Sequence, residues 1–152
     1  MMTRLIALVL LLLAGCSATE RTDVPVSREN AKNIVPVPLP VSASNVFYVL
    51  HAGGMQELEL YVRFDCAPDQ VNEWVDSATK SNNVQFSRAL PYQHVSLSVA
   101  SRAVEPDRSL APIQWWTPSA IKAGYYCGAF ASQALRLWVD TDKSRVYLNM
   151  TD

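Results

Sequence analysis

Residues 56–64 read QELELYVRF, and apolar and polar side chains alternate along them. Leu58, Leu60, Val62 and Phe64 share one face; Glu57, Glu59, Tyr61 and Arg63 share the other. A period of two is that of a strand with one buried and one wet face, and one-sided patterning favours an antiparallel sheet. The same pattern closes the chain. Leu135, Leu137 and Val139 face one way, residues 140–144 turn, and Val146, Leu148 and Met150 answer beside Arg145 and Tyr147. The two apolar sets match in spacing, which fixes register. Residues 45–51 (NVFYVLH) are rich in β-branched and aromatic types and predict another strand. Ala52-Gly53-Gly54-Met55 then turns the chain. Residues 84–90 and 94–101 predict two more strands, with Val84, Phe86, Val95, Leu97 and Val99 inward, and residues 125–130 are partly extended.

The period changes over residues 68–80. Val71, Trp74, Val75 and Ala78 fall at i, i+3, i+4 and i+7, an apolar stripe along a helix. Pro68 suits the first helical turn, and Asp69 puts negative charge near its positive end. Trp74 lies in the stripe and reads as core. A short helix is expected after Thr117-Pro118, ending before Gly124. Residues 102–111 lack periodicity and read as a charged, solvated loop. The fold class is α+β: an antiparallel sheet of five or six short strands with one main helix packed on one face.

The N-terminal stretch MMTRLIALVLLLLAGC follows neither period. A basic start at Arg4, an apolar run and small residues at the exit describe an export signal, too short for the ~20 apolar residues of a membrane span. Leu13-Ala14-Gly15-Cys16 resembles the lipobox of bacterial lipoproteins. The resemblance covers the leader alone and implies cleavage before Cys16, diacylglycerol on its thiol and a further acyl chain on its amine. Ser17 in the next position resembles the sorting pattern for the outer membrane, where Asp would imply inner-membrane retention. The expected organisation is a signal peptide over residues 1–15, lipidated Cys16 opening a Pro-containing tether over 16–44, and one periplasmic domain over 45–152. The prolines at 36, 38 and 40 alternate with Val35, Val37, Leu39 and Val41. They fit either an extended spacer or an irregular edge laid across the domain to cover its apolar side chains.

That compartment changes the reading of the cysteines. With Cys16 used for lipid, Cys66 and Cys127 remain. An oxidising periplasm favours one bridge between them over two buried thiols. It would close a loop of about 60 residues and stabilise by ~3–4 kcal/mol on the chain-entropy model. The chain carries 13 basic and 14 acidic residues; losing Arg4 with the leader leaves 12 against 14. Near-neutral charge without basic clusters excludes a nucleic-acid partner of the usual kind.

Candidate chemistry is sparse. His51 and His94 have no metal-ligand spacing around them, so neither metal nor cofactor is expected. A Cys127–His94 nucleophile pair would need hydrogen-bond reach and a free thiol. Glu57 and Glu59 read as surface charge. Asn149-Met150-Thr151 matches a glycosylation triplet of little use in a bacterial lipoprotein. The aromatics are more suggestive. Trp115 and Trp116 are adjacent, as are Tyr125 and Tyr126, so in extended chain one of each pair points inward and the other outward. The four are candidate protein contacts; the alternative is that both tryptophans close a small core. The expected function is non-enzymatic: an outer-membrane-anchored periplasmic lipoprotein that binds another protein or supports an envelope assembly. An immunity lipoprotein neutralising a periplasmic toxin, a binder of apolar small ligands or lipid fragments, and an envelope hydrolase using Cys127 are the alternatives.

Overall fold

The computed structural model describes residues 18–35, 37–53, 58–80, 106, 110–128 and 134–151. The leader with Cys16, the strands expected over 84–90 and 94–101, His94 and most of the 102–111 loop lie outside the described residues.

Six strands form one antiparallel sheet: β1 (Ala18–Arg21), β2 (Ser44–Ala52), β3 (Leu58–Asp65), β4 (Gly124–Gly128), β5 (Ala134–Asp140) and β6 (Arg145–Thr151). Their spatial order is β1-β2-β3-β6-β5-β4. The sheet is thus two up-and-down ribbons, β1–β2–β3 and β4–β5–β6, joined along β3 and β6. A four-residue helix α1 (Arg28–Ala31) follows β1, the main helix α2 (Pro68–Lys80) follows β3, and a 3-10 turn covers Pro118–Ala120. The α+β class, the antiparallel sheet and the helix packed on it are as the patterning predicts.

Alternation explains the first face. Leu60, Val62, Phe64, Leu137, Val139, Val146, Leu148 and Met150 form one buried cluster with Val71, Trp74 and Val75 of α2. Val62 stands opposite Leu148, and Leu148 opposite Leu137, so the expected register is met. Phe64 and Trp74 meet edge to face at 5.0 Å. Fully burying each such side chain is worth ~1.5–3 kcal/mol, which holds the helix where propensity alone would not.

The stretch read as a tether joins this face. Val35, Val37 and Leu39 are buried in the same cluster, so the covering edge, not the free spacer, describes Val35 and residues 37–39. The physical reason lies in the prolines. A buried irregular chain must satisfy its backbone N–H groups, and proline has none to satisfy. The carbonyls it leaves are used: Trp74 Nε1 donates to Pro38 O at 2.6 Å, and Arg28 Nε to Leu39 O at 3.2 Å. Ser42 Oγ donates to Gln70 Oε1 at 2.8 Å and accepts from Ala67 N at 2.9 Å. The strap is therefore tied to both ends of the first turns of α2.

β1 also comes from that stretch. It pairs with β2 from Ala18 opposite Ala52 to Arg21 opposite Val49. Tyr48 donates to Glu20 Oε1 at 2.7 Å. Burial, then that bond and the Glu20 charge, push the Tyr48 pKa up to about 12.

The second face is not wet. Tyr61 is 1% exposed, and with Val49, Trp138, Tyr147, Ile113, Trp115 and Trp116 it forms a second buried cluster. The cover is irregular chain over residues 110–121, in place of a helix. Arginine is the exception that keeps the alternation partly true: Arg63 stays half-buried, its guanidinium 4.3 Å from the centroid of the Phe47 ring.

The expected Cys66–Cys127 bridge is not formed; Cys66 is a free, buried thiol. Register gives the reason. Cys127 stands opposite Leu137, Leu137 opposite Leu148, and Leu148 opposite Val62. Three strand spacings, roughly 14 Å, separate Cys127 from Val62, and Cys66 lies four residues, roughly 13 Å, further along. A disulfide needs Cα atoms within ~7 Å.

Candidate functional site

The chain leaves β1 at Arg21 and crosses toward the aromatic face. Arg21 Nε donates to Asp23 Oδ1 at 2.7 Å, and its terminal nitrogens donate to the carbonyls of Ala111 at 3.3 Å and Pro112 at 3.1 Å. Trp115 Nε1 returns the tie, donating to Thr22 O at 3.1 Å. These bonds fasten the edge strand to the irregular cover. Between them lies an open cleft of about 360 Å³, lined by Arg21, Asp23, Phe47, Gln114 and Trp115.

The wall of the cleft is aromatic. The Phe47 and Trp115 rings are 5.6 Å apart and tilted by 36°, and Arg63 contributes a cation–π contact behind Phe47. Burial, ahead of the neighbouring Arg145 charge, lowers the Arg63 pKa, while Asp65 and Tyr147 act against it; a guanidinium remains charged throughout the physiological range. The rim is polar. Asp23 keeps most of its carboxylate in solvent despite its bond to Arg21, and Gln114 is exposed. An apolar wall with an acceptor and an amide at its mouth suits an inserted side chain of a partner. The volume sits at the low end of the ~300–1,000 Å³ typical of small-molecule sites.

The two tryptophans do not divide between core and solvent. Both are 7% exposed. Extended chain would have sent them apart, but Trp116 N donates to Ile113 O at 3.0 Å, and this turn aims both rings at the sheet. They lie 6.2 Å apart at 75°, and Trp116 also meets Tyr61, Trp138 and Tyr147 edge to face at 5.0, 5.7 and 5.6 Å. The tyrosines do divide, because β4 is a true strand. Tyr125 donates to Asn72 Oδ1 of α2 at 2.8 Å, and the Tyr126 ring lies 5.2 Å from that of Trp138, tilted by 49°, on the other face. Only Trp115 of these four lines the cleft.

The remaining candidates are engaged elsewhere. His51 Nδ1 and Thr19 Oγ1 are 2.8 Å apart across β1 and β2. Glu59 accepts from the Tyr61 hydroxyl at 2.6 Å, and Glu57 lies outside the described residues. Asn149 is 1% exposed, so its triplet is not an accessible acceptor. Burial, with the Asp65 and Asp69 charges, pushes the Cys66 thiol up to about 11, which makes it a poor nucleophile at neutral pH. Among the described residues no group of His, Cys, Asp or Glu could hold a metal ion, and no helix is long and apolar enough to cross a membrane.

Sequence reasoning missed Arg21, Asp23, Phe47 and Gln114. Nothing local marks them, since Arg21 and Pro112 are 91 residues apart and only the fold brings them together. Comparison with protein-family models, with curated proteins and with solved structures finds no match.

Proposed function

We propose that this chain is a non-enzymatic, outer-membrane-anchored periplasmic lipoprotein whose folded domain binds another protein. The cleft between β1 and the aromatic cover carries the binding part of this reading. Aromatic side chains and arginine beside a polar rim are the composition enriched in protein–protein contacts, and here they surround an opening of about 360 Å³. The anchor rests on the Leu13-Ala14-Gly15-Cys16 leader and on Ser17. Among the described candidates, His51 is engaged by Thr19 and Glu59 by the Tyr61 hydroxyl.

The test is crosslinking in intact envelopes followed by capture, comparing the native chain with Gln114→Arg and Asp23→Lys. Both positions are exposed; Gln114→Arg leaves the described ties of the cleft intact, while Asp23→Lys removes the acceptor of Arg21, so an unchanged unfolding midpoint is required of each variant before capture is compared. A protein recovered with the native chain and lost with either variant supports the reading. Capture of lipid or small molecules alone, or of a protein indifferent to both variants, contradicts it. Cys16→Ser, followed by fractionation, tests the anchor separately.

A further inference from the structure

We infer that, when Cys16 carries lipid, the domain stands directly on the bilayer with its Ala18/Ala52/Leu58 end down and its Asp140–Arg145 turn pointing away. This rests on the proposed acylation of Cys16, and adds to it an orientation and a membrane-contacting surface.

The argument begins with chain length. The first residue of β1 is Ala18, and two residue steps span at most roughly 7 Å. Ala18 is held in register against Ala52, which pairs in turn with Leu58. The Ala18 end of the sheet is therefore fixed close to the acyl chains. The stretch that could have supplied slack is folded onto the domain as β1, α1 and the Pro strap.

The two ends of the sheet differ in the sense this orientation requires. At the Ala18 end the described strand termini are Ala18, Ala52, Leu58, Gly128, Ala134 and Thr151, all uncharged, and the charged residues next to them are Glu59, opposite Thr151, and Arg136, opposite Gly128. At the opposite end stand Asp65, Asp140, Asp142, Lys143 and Arg145, with Asp65 and Arg145 paired at 2.6 Å. Charged groups are costly to desolvate against an interface and small or apolar ones are not. Eight residues of β3 separate the two ends, roughly 24 Å. Arg21 lies three residues above Ala18, roughly 10 Å, so the cleft stays above the lipid surface and open to a partner.

The test uses the full chain made in a host that processes it. Mass spectrometry of the N-terminal peptide comes first; lack of acyl groups on Cys16 overturns the anchored reading and this orientation with it. The lipidated protein is then placed in nanodiscs containing a nitroxide-headgroup lipid, and paramagnetic broadening of its amide signals is read. Strong broadening at Ala18, Ala52, Leu58 and Thr151, fading to none at Thr141–Arg145, supports the inference. Acylated protein with uniform broadening, none, or the reverse gradient overturns the orientation and leaves the anchor standing. Inserting about ten Gly/Ser residues between Ser17 and Ala18 adds roughly 17 Å of slack and should abolish the gradient while the lipid remains. A gradient that survives this insertion also overturns the inference, since the short connection is then not its cause.

Discussion

The two faces of the sheet are built by different means. One is mainly aliphatic and is covered by a helix, whose stripe is periodic, and by an irregular proline strap. The other is aromatic and is covered by a turn that folds Trp115 and Trp116 onto Tyr61, Trp138 and Tyr147. A helix can be recognised from its own residues, because its stripe is local. An irregular cover cannot, because its packing depends on large rings reaching partners far away in sequence. The aromatic face is a second, smaller core, held by chain that looks like a loop.

The sharpest way to break this comparison is Trp116→Ala. It removes the ring on which four edge-to-face contacts converge, and an unfolding midpoint should report a loss of ~3–5 kcal/mol. A loss under about 1 kcal/mol would show that the irregular segment is mere decoration. Leu39→Ala asks the same of the strap on the other face, where we expect ~2–3 kcal/mol, the lower part of the range for a leucine at a core margin. A free tether would give nothing. Tyr48→Phe removes the hydroxyl that holds Glu20 and should cost ~1 kcal/mol, with amide exchange rising along β1 before the rest of the sheet.

The joint between the ribbons supplies a pH test. Partial burial alone would raise the Asp65 pKa. The bonds from Arg145 and Asn45, with the charges of Arg145 and Arg63, outweigh it and hold the carboxyl below its ordinary 3.8. A carboxyl depressed on folding stabilises fully above its unfolded value. That contribution fades as pH falls below 3.8 through the still lower folded value. Acid titration of stability should show this loss, of at most about 1 kcal/mol for a partly exposed pair, and Arg145→Met should flatten it. The smallest effect concerns Cys66. Its thiol should resist iodoacetamide at pH 8 in the native protein and react once unfolded, as peptide mapping will show.

What the sequence made legible follows period. Val71, Trp74 and Val75 mark α2, and the alternation in β3, β5 and β6 sets their inward faces and register. β1 carries no such mark: Ala18-Thr19-Glu20-Arg21 has no apolar alternation, and its place is set by His51 and Tyr48 across the sheet. Tyr61, Trp138 and Tyr147 occupy positions that alternation assigns to solvent, and only their size hints at a second core. Compartment and cysteine count favour a disulfide, but neither carries information about register. The cleft has no local signature because its parts come from the end of β1, the middle of β2 and the turn after Pro112.

Gly124 opens β4 with φ +149, and a Cβ there would come 1.8 Å from the carbonyl oxygen of Val139. Any side chain must push the strand off its neighbour, at a backbone cost of ~1–3 kcal/mol before the collision itself is counted. Gly124→Ala would therefore unzip β4 from β5, starting where Gly124 faces Asp140, and leave the backbone groups that β5 turns toward β4 in search of other partners.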